Sequence, residues 1–372
     1  MATGNWVGLR LDPLDTLFFR DGRPFDAATR ASGGLPQPQT LAGALRTALF
    51  ARTGFDFGKF AIARKKMTVD DPEQLRAALT ACGAPAEIVD ASFRGPWLAL
   101  ASDDNAVSPL LPMPEVLKRA KEKGKWSVAK PVASVPGWDD PDGLKPLWRN
   151  VEPDPKAEPE LLTLAGLKAF LKDPKANIPD AHCVKRETLF GYDHRVGIEV
   201  DKDTLTSADG MLYVISLLSM QRKHDGKPVC LYAEIELPAD VAAYLTDTLV
   251  PFGGEGKYVR VTKVEAQPWP KPATGPAMWY LATPTFFPPT GRPLPSVTGL
   301  MAAASGAGVP VSGWDVARNG PRATRFAVPA GACYFVNGPA TPDDFLDLGT
   351  ESAALRQEGW GFALPGIWGG MT

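Results

Sequence analysis

Five stretches of this 372-residue sequence bring cations, aromatic rings and glycines together closely enough to do chemistry. Residues 17–25 read LFFRDGRPF, a glycine turn with Arg20 and Arg23 on either side and aromatics at both ends. Guanidinium forks match phosphate oxygens and aromatic faces stack on bases, so this composition suits single-stranded RNA. It suits equally a packed hairpin in which Asp21 neutralises one arginine. Residues 38–46, PQTLAGALR, start a helix whose free N–H groups attract phosphate, with Arg46 close by. Capping by Thr40 and close packing at Gly43 explain the same residues without a ligand. Residues 194–213 open with His194 and Arg195 beside Gly197. A histidine near an arginine can act as general base for RNA cleavage through the 2′-hydroxyl. The sequence holds three histidines, however, with no second histidine or paired acid at a telling spacing, which favours a structural or RNA-contacting role.

Residues 252–261, FGGEGKYVRV, form the fourth stretch. Gly253, Gly254 and Gly256 let the backbone approach a ligand, and Lys257 and Arg260 supply charge. The stretch holds no G-K-[ST], so it is not a nucleotide P-loop. Its second half alternates like a strand and opens no helix, which excludes a dinucleotide fingerprint. A flexible hairpin with no ligand has the same composition. The fifth stretch joins residues 322–336 to 355–368: Arg322 and Arg325 precede a strand, and Gly359, Gly361 and Gly366 flank Trp360 in a glycine-rich tail. Such glycines either make room for a nucleic-acid backbone or let a loop pack its own tryptophans.

The elements that must position these residues are partly visible. Val7, Leu9 and Leu11 alternate with Gly8, Arg10 and Asp12, a half-buried strand. A loop over 32–39 comes next, then a helix capped by Thr40 with Leu41, Leu45 and Leu49 at spacing four. Strand, long loop and helix is how a βαββαβ unit begins. Residues 60–180 differ: after a helix at Pro72–Ala81 they are rich in proline, tryptophan and charge, including KRAKEKGK at 118–125. They read as an irregular insertion with mobile parts, its basic run either gripping RNA or ending a solvated helix. Further on, Val229, Leu231, Ala233, Ile235 and Leu237 alternate with Cys230, Tyr232, Glu234 and Glu236. Pro238 suits the first turn of a short helix reaching about Leu249. Strands are expected near 257–265, 277–283 and 331–337, and a last helix at 342–358 stopped by Gly359. Two β-α-β arrangements suggest a duplicated α+β fold. The expected domains are 1–225, carrying the insertion, and 226–372, carrying the glycine-rich tail.

A net charge of −2 and a pI near 6.0 argue against a free, generally basic nucleic-acid binder. Charge is nevertheless uneven: eight Lys or Arg face three acids over 253–330, and one Arg faces five acids over 331–372. This suits a subunit with one face for RNA and another for a protein, as it suits chance clustering of solvated charges. Cys82, Cys183, Cys230 and Cys333 contain no C-x-x-C pair and read as reduced thiols, not a zinc site or disulfide framework. No signal-peptide pattern or membrane-length apolar run is visible, so a cytoplasmic protein is expected.

In order, FFRDGRPF, PQTLAGALR, HRVGIEVD, FGGEG and RFAVPAGACYF resemble the third RAMP subunit family of the Cmr complex, the type III-B CRISPR effector. The resemblance runs from about Leu11 to Trp368 and is weakest over 60–180. It implies two ferredoxin-like (RRM-like) RAMP domains with glycine-rich loops. It implies a non-catalytic subunit, without cofactor or metal, that holds the 5′ repeat-derived tag of the guide RNA. The implied partners are the large polymerase-like subunit, the backbone RAMP subunits and, indirectly, the target RNA. Carried onto this chain, the RNA-contacting positions are Arg20, Arg23, Arg46, His194, Arg195, Lys257, Arg322 and Arg325, with loop glycines Gly253, Gly254, Gly359 and Gly361. The rival expectations are a repeat-cutting endoribonuclease with His194 as base, and a structural clamp that barely touches RNA.

Overall fold

The computed structural model describes residues 5–19, 30–31, 34–67, 71–102, 106–122, 124–158, 160–175, 178–200, 207–271, 275, 277–288, 294–315, 320–338 and 350–369. For 30–31, 198–200, 207–213 and 321 it describes the backbone only. The fold mixes helices with several largely antiparallel sheets. Contacts divide the chain into two units. The first comprises Met1–Pro96, Leu189–Glu265 and Pro310–Phe326; the second comprises Trp97–Thr188, Ala266–Val309 and Ala327–Thr372. The chain therefore passes between them five times. The division expected near residue 225 falls inside the first unit, because strand Lys227–Leu237 pairs with the opening strand Asn5–Pro13, Leu11 opposite Leu231.

In the first unit the strand order is Thr248–Pro251, Tyr258–Val264, Asn5–Pro13, Lys227–Leu237. Helix Pro38–Phe50 buries Leu41, Leu45 and Leu49 at the expected spacing, each worth about 1.5–3 kcal/mol of transfer free energy. It begins at Pro38, with Gln37 in the cap position, so Thr40 lies in the first turn and does not cap. Proline's fixed φ favours that earlier start. Gly43 is exposed and faces open space, so it serves no close packing among the described residues.

The Lys227–Leu237 strand departs from simple alternation, since its second face is buried too. Glu234 is 0% exposed there. Its carboxylate accepts from the Tyr232 hydroxyl at 2.7 Å and the Arg94 guanidinium at 3.2 Å. Arg94 stacks 3.6 Å from the centre of the Trp6 ring. Burial lowers the Arg94 pKa, against the opposing pull of Glu234. A charge in a dry core persists only when paired in this way.

The second unit takes in the insertion from Trp97 onward, together with Ala266–Val309 and Ala327–Thr372. Its strands run Val107–Pro112, Glu160–Thr163, Cys183–Lys185, with Ala99 of strand Ser92–Ala101 opposite Pro109. Helix Leu164–Lys172 is capped by the Thr163 hydroxyl. A four-stranded antiparallel sheet orders Leu300–Ala304, Cys333–Val336, Ala277–Leu281 and Ala363–Ile367 over a core of Trp279, Leu281, Phe287, Val328 and Tyr334. A smaller sheet joins Leu117–Arg119, Trp126–Pro131 and Leu147–Arg149. The 118–125 run is thus strand and turn, and its described cations are paired internally. Lys118 meets Glu115, Arg119 meets Glu160 and Asp180, Lys121 meets Glu152, and Lys125 meets Glu122. Helix Pro72–Ala81 forms as expected. The helix after Pro238 ends by Leu245, where strand Thr248–Pro251 takes over. Of the expected last helix, Ala353–Gln357 is helical and 341–349 lie outside the described residues. Among the described residues no helix is long and apolar enough to cross a membrane.

Candidate nucleic-acid interface

Three of the five stretches meet in the first unit. Segment 14–19 is stapled from both sides: Leu17 and Leu218 exchange backbone hydrogen bonds at 2.9 and 2.7 Å, and the Gly254 N–H donates to the Phe18 carbonyl at 2.9 Å. Phe19 packs edge-on against buried Phe252, centroids 5.2 Å apart. The reason for Gly253 is then concrete. Its φ is +83°, and any Cβ would collide with the Phe18 carbonyl oxygen and the Phe19 ring; at Gly254 a Cβ would press on the Phe18 ring. The backbone these glycines admit belongs to this chain. Arg20 and Arg23 come directly after segment 14–19, outside the described residues.

Lys257 closes the same arrangement, donating to Asp15 at 3.0 Å. That hydrogen bond, the Thr16 N–H and the more distant Arg195 charge hold the Asp15 carboxyl below its usual pKa. Lys257 and Arg195 therefore act on one acid. Arg195 itself is exposed and bonded to Asp193 at 2.9 Å. It sits on a long hairpin, Phe190–Val200 against Ser207–Met220, with His194 opposite Ser216. The His194 Nδ1 lies 2.8 Å from the Ser216 Oγ. Period-two alternation puts Tyr192, His194 and Val196 on one face. The Tyr192 and His194 rings lie 22° from parallel, and Val196 is 66% exposed. Such a face can receive a base. Tyr192 and Val196 escape a reading that looks for charge, although the alternation marks them.

The remaining residues lie elsewhere. Arg46 is half-buried in the first unit, donating to the Ala91 carbonyl at 3.1 Å and lying 4.9 Å from the Phe93 ring centre. Packing within the unit already employs it. Arg322 and Arg325 are exposed in the Pro310–Phe326 segment. Gly359 and Gly361 belong to the second unit. Gly359, at φ +97°, ends helix Ala353–Gln357: its N–H reaches the Arg356 carbonyl at 2.9 Å, and that of Trp360 reaches Leu355 at 3.1 Å. Gly361 presses against Thr350 and Thr285, leaving no room for a side chain. Among the described residues no group of three His, Cys, Asp or Glu could hold a metal. All four cysteines are free thiols, and burial pushes Cys230 and Cys333 up to about 12.

This fold has solved counterparts. The chain is similar to one in the cryo-EM structure of the Type III-B Cmr-beta bound to cognate target RNA, at 16% identity and TM-score 0.55, covering 96% of this chain and 95% of that one. It is also similar to one in Cmr-beta bound to cognate target RNA and AMPPnP, state 1, at 17% identity and TM-score 0.50, covering 88% and 86%. At such identities the likeness is one of fold. No curated protein sequence matches. The family described as CRISPR-associated protein (Cas_Cmr3) matches residues 9–368, which makes this a CRISPR-associated protein over nearly its whole length. It belongs to the Cas_Cmr3 family, in keeping with the resemblance its motifs carry.

Proposed function

We propose that this chain is a non-catalytic, guide-RNA-binding subunit of a type III-B (Cmr) effector in antiviral defence, working in the cytoplasm. It holds the 5′ repeat-derived tag and docks the large polymerase-like subunit beside the backbone RAMP subunits, meeting target RNA only through guide pairing. Family membership supports the assembly, and both similar solved chains come from Cmr-beta structures bound to cognate target RNA. The observation that carries the RNA reading is the meeting of three motif stretches around segment 14–19, directly before Arg20 in sequence. There Arg195 and Lys257 supply phosphate-binding cations around Asp15, and the opposite face of Arg195's hairpin carries the exposed Tyr192–His194 pair, on which a base can stack. The two units correspond, on this reading, to two ferredoxin-like RAMP domains whose segments alternate along the chain.

The chain carries net −2, so its RNA surface is local and is completed by neighbouring subunits. Alone it binds generic RNA weakly; in the assembly it fixes the tag's path with arginines and backbone N–H groups. The test is affinity purification of the tagged full chain from cells carrying the whole system. Guide RNA and the other effector subunits should co-purify, with crosslinks between this chain and the tag nucleotides. Absence of tag crosslinks in an intact assembly would leave a structural clamp. Specific cleavage of repeat RNA, lost in His194→Ala, would leave a nuclease.

A further inference from the structure

The chain enters strand Lys227–Leu237 through a tight hairpin rich in cations. Residues 221–228 read QRKHDGKP, three cations against the single acid Asp225, in a chain of net −2. His224 pairs with Lys227 and Lys223 with Pro228, and the Val229 N–H donates to the Arg222 carbonyl at 3.3 Å. Asp225 and Gly226 alone make the turn, at φ +46° and +79°, the positive angles that a two-residue type I′ loop requires. Asp-Gly is a favoured pair for that loop, so the turn is locally stable and fixes where its neighbours point.

Directly opposed residues share a face of a sheet, and so do alternate residues along a strand. Arg222, opposite Val229, therefore lies with Lys227 on one face of the hairpin, and Lys223, opposite Pro228, lies on the other. The same rule carries that face across the sheet. Leu231 and Val261 both stand opposite Leu11, one on each side of strand Asn5–Pro13, and both their strands run antiparallel to it. Lys227 precedes Leu231 by four residues, and Lys257 precedes Val261 by four. The Phe252 N–H reaches the Lys257 carbonyl at 2.8 Å, so the ladder still holds there. Lys227 and Lys257 thus occupy one row on one face, two strand spacings or about 10 Å apart. Arg222 and Lys227 are exposed, and among the described residues neither side chain has a partner. Asp225, the hairpin's acid, lies 3.5 Å from the His224 ring.

We infer that the hairpin Gln221–Pro228 binds the phosphodiester backbone of single-stranded RNA, with Arg222 and Lys227 continuing the row that Lys257 begins. This rests on the guide-RNA reading and deepens it: the strand that meets Lys257 and Arg195 is carried across the end of the sheet to a second pair of cations. RNA fits this face better than a folded protein does. A polyanion needs only exposed cations at spaced positions, and each phosphate neutralised releases counterions. A protein partner needs an apolar or aromatic anchor, and residues 221–228 include no large apolar side chain. The contacts are to phosphate, so they set the path of the strand and read no sequence.

The test measures binding of the full-length chain to end-labelled guide RNA by fluorescence anisotropy across a salt series. Each single-strand phosphate contact contributes about 0.7 to the slope of log affinity against log salt. The Arg222→Gln/Lys227→Gln double variant should therefore flatten the slope by about 1.4. Its melting temperature should be unchanged, because both side chains are exposed. Lys223→Gln, on the other face, should leave the slope as it is. Asp225→Asn, which the turn tolerates, should tighten binding at low salt. An equal flattening per charge in Lys223→Gln reduces the effect to net charge and overturns the site. So does a parental slope in the double variant while Lys257→Gln flattens it, an outcome that leaves the guide-RNA reading standing. Crosslinks from Lys227 to a neighbouring protein and none to RNA, in the assembly purified through this chain, overturn it as well. A parent chain with no salt-dependent affinity for guide RNA overturns both.

Discussion

Lys257 is held in place and neutralised by Asp15. On the proposed RNA-binding role, a phosphate reaching it would displace that carboxylate. Replacing Asp15→Asn should strengthen RNA binding a few-fold at low salt and steepen its salt dependence by about one phosphate contact, read by fluorescence anisotropy across a salt series. The same pair has a pH consequence. The Asp15 carboxyl titrates below its ordinary 3.8, so the stability it contributes is present above that value and lost as pH falls through the lower, folded one. Acid unfolding below about pH 4 should therefore be shallower in Asp15→Asn than in the parent chain, a small difference because the acid is exposed. Glycines give the sharpest contrast at this scale. Gly253→Ala, at positive φ and against the Phe18 carbonyl, should cost about 3 kcal/mol in denaturant unfolding. Gly43→Ala, in an exposed helix turn facing open space, should gain about 0.5–1 kcal/mol. Both glycines stand out in the sequence, yet only the folded chain distinguishes them, because what a glycine must avoid is set by residues far away along the chain. Arg46 makes the same point: its charge is visible in the sequence, and the Ala91 carbonyl that employs it is not.

Among elements, those with a strong local period are legible and those without one are not. The leucines of helix Pro38–Phe50 and the alternation of Lys227–Leu237 announce themselves. The three-residue strands Leu117–Arg119 and Leu147–Arg149 are too short to establish a period, and their charges and Trp148 suggest irregular structure. Alternation also hides how many faces are covered. Glu234 reads as solvent-facing but lies in a dry network with Tyr232, Arg94 and Trp6. Arg94→Ala should strand that carboxylate and cost about 3–5 kcal/mol, measured by urea unfolding. Replacing Arg94 and Glu234 together with apolar residues of similar volume should recover most of the loss, separating the penalty of an unpaired charge from the value of the pair.

At the scale of the molecule, the order of motifs identifies the family while the division of the chain stays hidden. Pairing between distant segments leaves no local mark, so a boundary near 225 looks natural where contacts place none. Fragments ending or beginning there should lack a cooperative thermal transition, since 1–225 loses three of the four ordered strands, both neighbours of Asn5–Pro13 among them, and 226–372 loses Asn5–Pro13 itself. The opening strand also constrains the protein's birth. Asn5 pairs with Leu237, and the other edge of that strand waits for Tyr258–Val264. At about 5–20 residues per second, the ribosome delivers those partners roughly 10–50 seconds after the first strand emerges. Throughout that interval an apolar strand, bearing Leu9 and Leu11, has both edges open. The nascent chain is therefore a natural client for holding chaperones, and slow codons placed before residue 227 should lower soluble yield without altering the finished protein.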